Sequence, residues 1–100
     1  MPFDQLFPRS FTEPAIRAYA PALSGVYGLS NSARWLYIGE SGNIQESLLA
    51  YCRDSTSTAA DTRPSGFVFE VCGPALRSAR RQRLIQEYSP AANLQRRQRP

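Results

Sequence analysis

The chain has 100 residues, 42% of them hydrophobic, enough for one core and too few for two. Its formal charge is +4, every basic residue is arginine, and there is no histidine. The commonest general base at neutral pH is therefore absent, and two cysteines without histidine exclude a four-ligand zinc site. No apolar run approaches the ~20 residues of a membrane span. The opening MPFDQLFPRS has no basic start followed by an apolar stretch, so no leader peptide is read there and a cytoplasmic location is expected.

In chain order, residues 1–11 read as an irregular lead-in. Thr12, followed by Glu13 and Pro14, caps a short helix to about Tyr19, and Pro21 stops it. SGVYGLS (24–30) and RWLYIGE (34–40) are rich in β-branched and aromatic residues and are joined by Asn31-Ser32-Ala33, which predicts a β-hairpin. Asn43 with Glu46 three residues on is a capping-box-like start for a helix over about 44–52, with Ile44, Leu48, Tyr51 and Cys52 on one face. Residues 53–65 lack apolar periodicity and read as a loop. GFVFEVC (66–72) is a third strand whose continuous apolar character predicts cover on both faces. Pro74 opens a last helix over about 75–88, and Pro90 ends it.

The expected fold class is α/β: a small three-stranded sheet, the hairpin plus a third strand, flanked by helices. The expected organisation is a lead-in and short helix at 1–21, one domain at 22–93, and a basic tail at 94–100. Cys52 and Cys72 read as small buried hydrophobes. From Pro74 onward seven arginines face a single acid, Glu87, whereas the first 73 residues hold five arginines and seven acids. That asymmetry suggests a polyanion, DNA or RNA, met by Arg77, Arg80, Arg81, Arg83, Arg96 and Arg97. A solvated helix face is the competing reading.

Gly25-Val26-Tyr27, a ten-residue step, then Tyr37-Ile38-Gly39 resembles the signature of the GIY-YIG nuclease family. Gly39 to Ile44 resembles that family's link into its first helix. Leu84-Ile85, Tyr88, Pro90 and Asn93 are similar to its C-terminal pattern. The resemblance spans residues 22–93 and implies the GIY-YIG endonuclease-like fold, with Gly25, Gly39 and Asn93 as motif positions. It also implies metal-dependent phosphodiester hydrolysis: a glutamate holds the divalent metal, an arginine grips the phosphate, and the tyrosines, here Tyr27 and Tyr37, position or deprotonate water.

Three positions depart from that pattern. The phosphate-gripping arginine falls on Ser47, the metal-binding glutamate falls on Arg81, and a frequent histidine is Tyr51. At 100° per residue Arg81 lies between Tyr88 and Ile85, on the inward stripe of its helix, with Arg77 one turn earlier. An inward arginine needs an anion. Glu40 is one candidate, a phosphate of bound nucleic acid another, and snorkelling to water a third. Glu87 points elsewhere and Glu46 serves as a cap, so Glu40 is the one acid placed near the expected site, and one carboxylate beside an arginine is a poor magnesium site.

The function expected from sequence is a catalytically inactive GIY-YIG-like domain, a pseudoenzyme that serves as a nucleic-acid-binding or interaction module without cofactor. The alternative is a divergent endonuclease with a relocated active site, which would need Mg2+ or Mn2+. A purely structural protein with solvated arginines is a third reading.

Overall fold

Each element of the computed structural model follows from local chemistry; it describes residues 3, 8–32, 34–54 and 64–90. Helix α1 is Glu13–Tyr19, with Pro14 in its first turn. The Thr12 hydroxyl accepts the Ala15 N–H at 3.3 Å, satisfying one of the donors a helix start leaves open. Strands β2 (Gly25–Ser30) and β3 (Trp35–Ser41) form the expected hairpin. Helix α2 is Ile44–Asp54, two residues longer than the sequence predicts. One half of the expected capping box forms, the Asn43 side-chain oxygen accepting the Glu46 N–H at 3.0 Å, while the Asn43 N–H goes to Ser41 Oγ instead of the Glu46 side chain. Strand β4 is Gly66–Val71 and helix α3 is Pro74–Tyr88. Proline opens α3 because its missing N–H has no helical partner there. No helix among the described residues is long and apolar enough to cross a membrane.

The sheet has four strands rather than three. Arg9–Ser10, labelled β1, pairs antiparallel with β4, giving the order β1-β4-β2-β3. Two residues beside a proline carry no alternation to read, so the lead-in concealed this strand. The lead-in also reaches the core: Phe3 is 6% exposed and stacks on Trp35 and Tyr88.

Strand β2 is central and all six of its residues are buried. Strand β4 is covered on both faces only over its first half, and Val71 is exposed. Strand alternation sorts the side chains into two layers. Tyr27, Leu29 and Phe67 turn to α1 and α2, packing with Ile16, Ile44 and Leu48. Val26, Ile38 and Val68 turn to α3, packing with Leu84 and Ile85. The sheet is thus the middle layer of a helix–sheet–helix sandwich.

Candidate functional site

The two motif tyrosines sit on the α1/α2 side of the sheet. Tyr27 pairs with Gly39 across the hairpin, and Tyr37 pairs with Leu29. The tyrosine rings lie 6.1 Å apart, tilted by 49°. Tyr37 also stacks on Tyr51 of α2 at 5.9 Å. Tyr27 is buried, while Tyr37 and Tyr51 are half-buried. Gly39 is what lets the Tyr27 ring lie flat on the neighbouring strand. A Cβ there would stand 2.6 Å from the Tyr27 hydroxyl oxygen and 2.8 Å from Tyr37 Cε2. Gly25, two pairs nearer the open end of the hairpin, makes room for β4 and α2: a Cβ there would run into the Glu70 carbonyl and stand 2.7 Å from Ile44 Cδ1.

Ser47 lies in α2, and its hydroxyl is used inside the helix start. It stands 2.5 Å from the Ser41 hydroxyl. Ser41 Oγ accepts the Asn43 N–H at 2.9 Å and donates to the Asn43 carbonyl at 2.8 Å. One hydroxyl has one proton, so with Ser41 donating to Asn43, Ser47 is the donor of the serine pair. A shallow groove of about 370 Å³ opens here, lined by Ser41, Gly42, Asn43, Glu46, Ser47 and Ala50. No arginine among the described residues lines it.

The α3 side is organised by charge. Glu40 and Glu70 both lie opposite Val26, one on each side of the central strand. They therefore stand two strand spacings apart, about 9.6 Å. Each meets an arginine of α3. Arg80 makes a fork-like pair with Glu70, its Nε and Nη2 donating at 2.7 and 2.8 Å. Arg77 Nε donates to Glu40 at 3.3 Å while its Nη1 donates to Ser24 at 3.1 Å.

Glu40, one of the three candidate partners for Arg81, pairs instead with Arg77. The helix rises 1.5 Å per residue, so Arg81 lies about 6 Å further along the sheet than Arg77 and has passed Glu40. Arg81 is half-buried and makes no hydrogen bond or ion pair with another described residue. Arg83 is exposed. The tyrosine pair and the arginines of α3 thus occupy opposite faces of the sheet. Asn93, Arg96 and Arg97 lie outside the described residues.

The sequence reading missed Glu70 and Ser24. Glu70 had a signal: a lone acid inside the apolar strand GFVFEV must find a partner. Ser24 had none. Cys52 and Cys72 form no disulfide with each other and are half-buried, in different layers. Burial pushes both thiols above their ordinary range, with Glu13 adding to this at Cys52 and Glu70 at Cys72.

Among the described residues, the end of the YIG strand offers one carboxylate, Glu40, with an arginine on it, which is a poor setting for a divalent metal. Among the described residues no three acidic, cysteine or histidine side chains come together. Glu40, the acid nearest the end of the YIG strand, is already neutralised by Arg77.

No family model and no curated protein sequence matches the chain. Solved structures do. The chain is similar to the GIY-YIG N-terminal endonuclease domain of UvrC from Thermotoga maritima bound to its catalytic divalent cation, magnesium, at 23% identity and a TM-score of 0.63. The match covers 77% of this chain and 93% of that one. Asparagine-to-alanine and tyrosine-to-phenylalanine point mutants of the same domain, also bound to the catalytic cation, match at 23% and 22% identity, each with a TM-score of 0.63. They cover 77% of this chain and 92% and 93% of theirs. The chain therefore has a GIY-YIG-like fold.

Proposed function

We propose that this chain is a GIY-YIG-like domain that binds nucleic acid without cleaving it. The observation that carries this reading is the Arg77–Glu40 pair. The carboxylate that could have helped hold a cation is turned into the partner of a helix, and the neighbouring position is Arg81 rather than an acid. A phosphodiester needs its developing charge stabilised, and without a metal ligand the tyrosines lack the partner that makes them useful. What the arginines retain is the ability to grip phosphate. The arginine-rich sequence of α3 and of residues 96–99, together with the likeness to an endonuclease domain, supports nucleic acid as the polyanion.

The test is a salt titration of binding to duplex, branched and single-stranded DNA. Affinity should fall steeply with ionic strength. Absent or salt-independent binding sinks the reading. The endonuclease alternative draws on the tyrosine pair, kept 6.1 Å apart. Nicking of supercoiled plasmid in Mg2+ or Mn2+, lost in Tyr27→Phe and Tyr37→Phe, would decide for it.

A further inference from the structure

An open groove of about 300 Å³ runs between α3 and β4. It is lined by the apolar side chains of Cys72, Leu76 and Ala79 and the charged ones of Glu70, Arg80 and Arg83. Leu76 is 65% exposed. A single exposed leucine carries no meaning by itself; here the charges around it give the groove a chemistry. Leu76, Ala79, Arg80 and Arg83 fall within an arc of about 100° on the helix, so they form one flank. Arg77 and Arg81 belong to the other flank.

On the groove flank, Arg80 is committed to Glu70 by two short hydrogen bonds. That pair is close to neutral and holds a planar guanidinium at the groove. Arg83, one turn further, is exposed and makes no hydrogen bond or ion pair with any described residue. The groove thus joins an apolar lining to one uncompensated cation. A nucleotide has the matching parts, a base with an apolar face and a phosphate. A volume of about 300 Å³ lies at the small end of ligand sites, suited to one nucleotide and too small for a duplex or a docked helix.

We propose that this groove receives one nucleotide of a bound single strand, its base over Leu76 and Ala79 and its phosphate at Arg83. The proposal rests on the nucleic-acid reading above and narrows it to a strand and a place. It also removes Arg77 from the contact surface, because its guanidinium is engaged with Glu40 and Ser24.

The experiment is fluorescence anisotropy of the full chain with a short labelled oligothymidylate, from about 50 to 200 mM salt. Arg83→Ala should weaken binding about tenfold at the low-salt end and reduce the slope of log affinity against log salt by about 0.7, one single-strand phosphate. Leu76→Ser should weaken binding about fivefold through lost apolar contact and leave the slope unchanged. Both side chains are exposed, so both variants should keep the wild-type circular dichroism spectrum, which is recorded beside each titration. Wild-type binding that neither substitution alters overturns the groove while the nucleic-acid reading stands. No binding by the wild type to oligothymidylate or to the DNA probes of the salt titration overturns that reading and, with it, the groove. Polyglutamate that displaces the oligonucleotide as well as unlabelled oligothymidylate does, at matched charge, overturns the nucleotide in favour of an acidic protein segment.

Discussion

Replacing Arg80 by alanine tests whether ion pairs seat α3 on the sheet. The guanidinium is 17% exposed and its partner Glu70 25% exposed, with donor–acceptor distances of 2.7 and 2.8 Å. Exposed pairs contribute about 0.2–1 kcal/mol, and breaking a fully buried one costs about 3–5 kcal/mol. At this partial burial Arg80→Ala should cost about 2 kcal/mol. For a domain of this size that lowers Tm by roughly 8–16 °C. Part of the loss is the stranded Glu70 carboxylate, so the proper measurement is a double-mutant cycle with Glu70→Gln. The coupling should be about 1–1.5 kcal/mol, read from urea or thermal unfolding followed by far-ultraviolet circular dichroism. The Arg77–Glu40 contact is longer, 3.3 Å, and more exposed, 27% and 30%, so Arg77→Ala should cost only about 1 kcal/mol. A coupling below about 0.3 kcal/mol at Arg80–Glu70 would refute the clamp and leave α3 held by the apolar layer of Leu84, Ile85 and Tyr88 and by the weaker Arg77–Glu40 contact.

Gly39→Ala should destabilise by about 2–3 kcal/mol in urea unfolding, because the new methyl meets two aromatic rings that cannot both retreat. Ser89 caps α3 at φ 48°, a left-handed conformation that costs a residue with a Cβ, so Ser89→Gly should stabilise by about 1 kcal/mol. The cysteine thiols, raised first by burial, should react slowly with a disulfide reagent at neutral pH. As pH climbs past the ordinary thiol range the unfolded chain loses these protons first, so stability should fall there and be intact below it. Arg81→Glu alone should not create magnesium binding in calorimetric titration, since Arg77 would still hold Glu40.

The hairpin, α1, α2 and α3 were legible because each carries a local signal: Thr12 and Asn43 as caps, Pro74 as an opener, and alternating aromatic and β-branched residues between. The close approaches at Gly25 and Gly39 are visible in the sequence only as glycines at motif positions. Their meaning, rings and carbonyls occupying the space of a Cβ, exists only across strands. Strand β1 was not legible, since two residues have no period. The partner of Glu40 was misplaced for a related reason. A helical wheel gives the direction of Arg77 and Arg81 but not their height over the sheet. The Val26 register, with Glu40 on one side and Glu70 on the other, sets that height.

This register also divides a feature that looks uniform in the sequence. Four arginines crowd residues 77–83, and composition alone reads them as one basic surface. The sheet offers α3 two carboxylates, one on each side of Val26; Arg77 takes Glu40 and Arg80 takes Glu70. Arg77 and Arg80 are thereby neutralised within the fold. Arg81 makes no ion pair with Glu40, and Arg83 is exposed on the groove flank. The cationic surface of α3 is therefore about half what the arginine count implies. A salt slope equivalent to two phosphates or fewer from this helix fits that division, and a slope requiring all four would mean the clamp opens on binding.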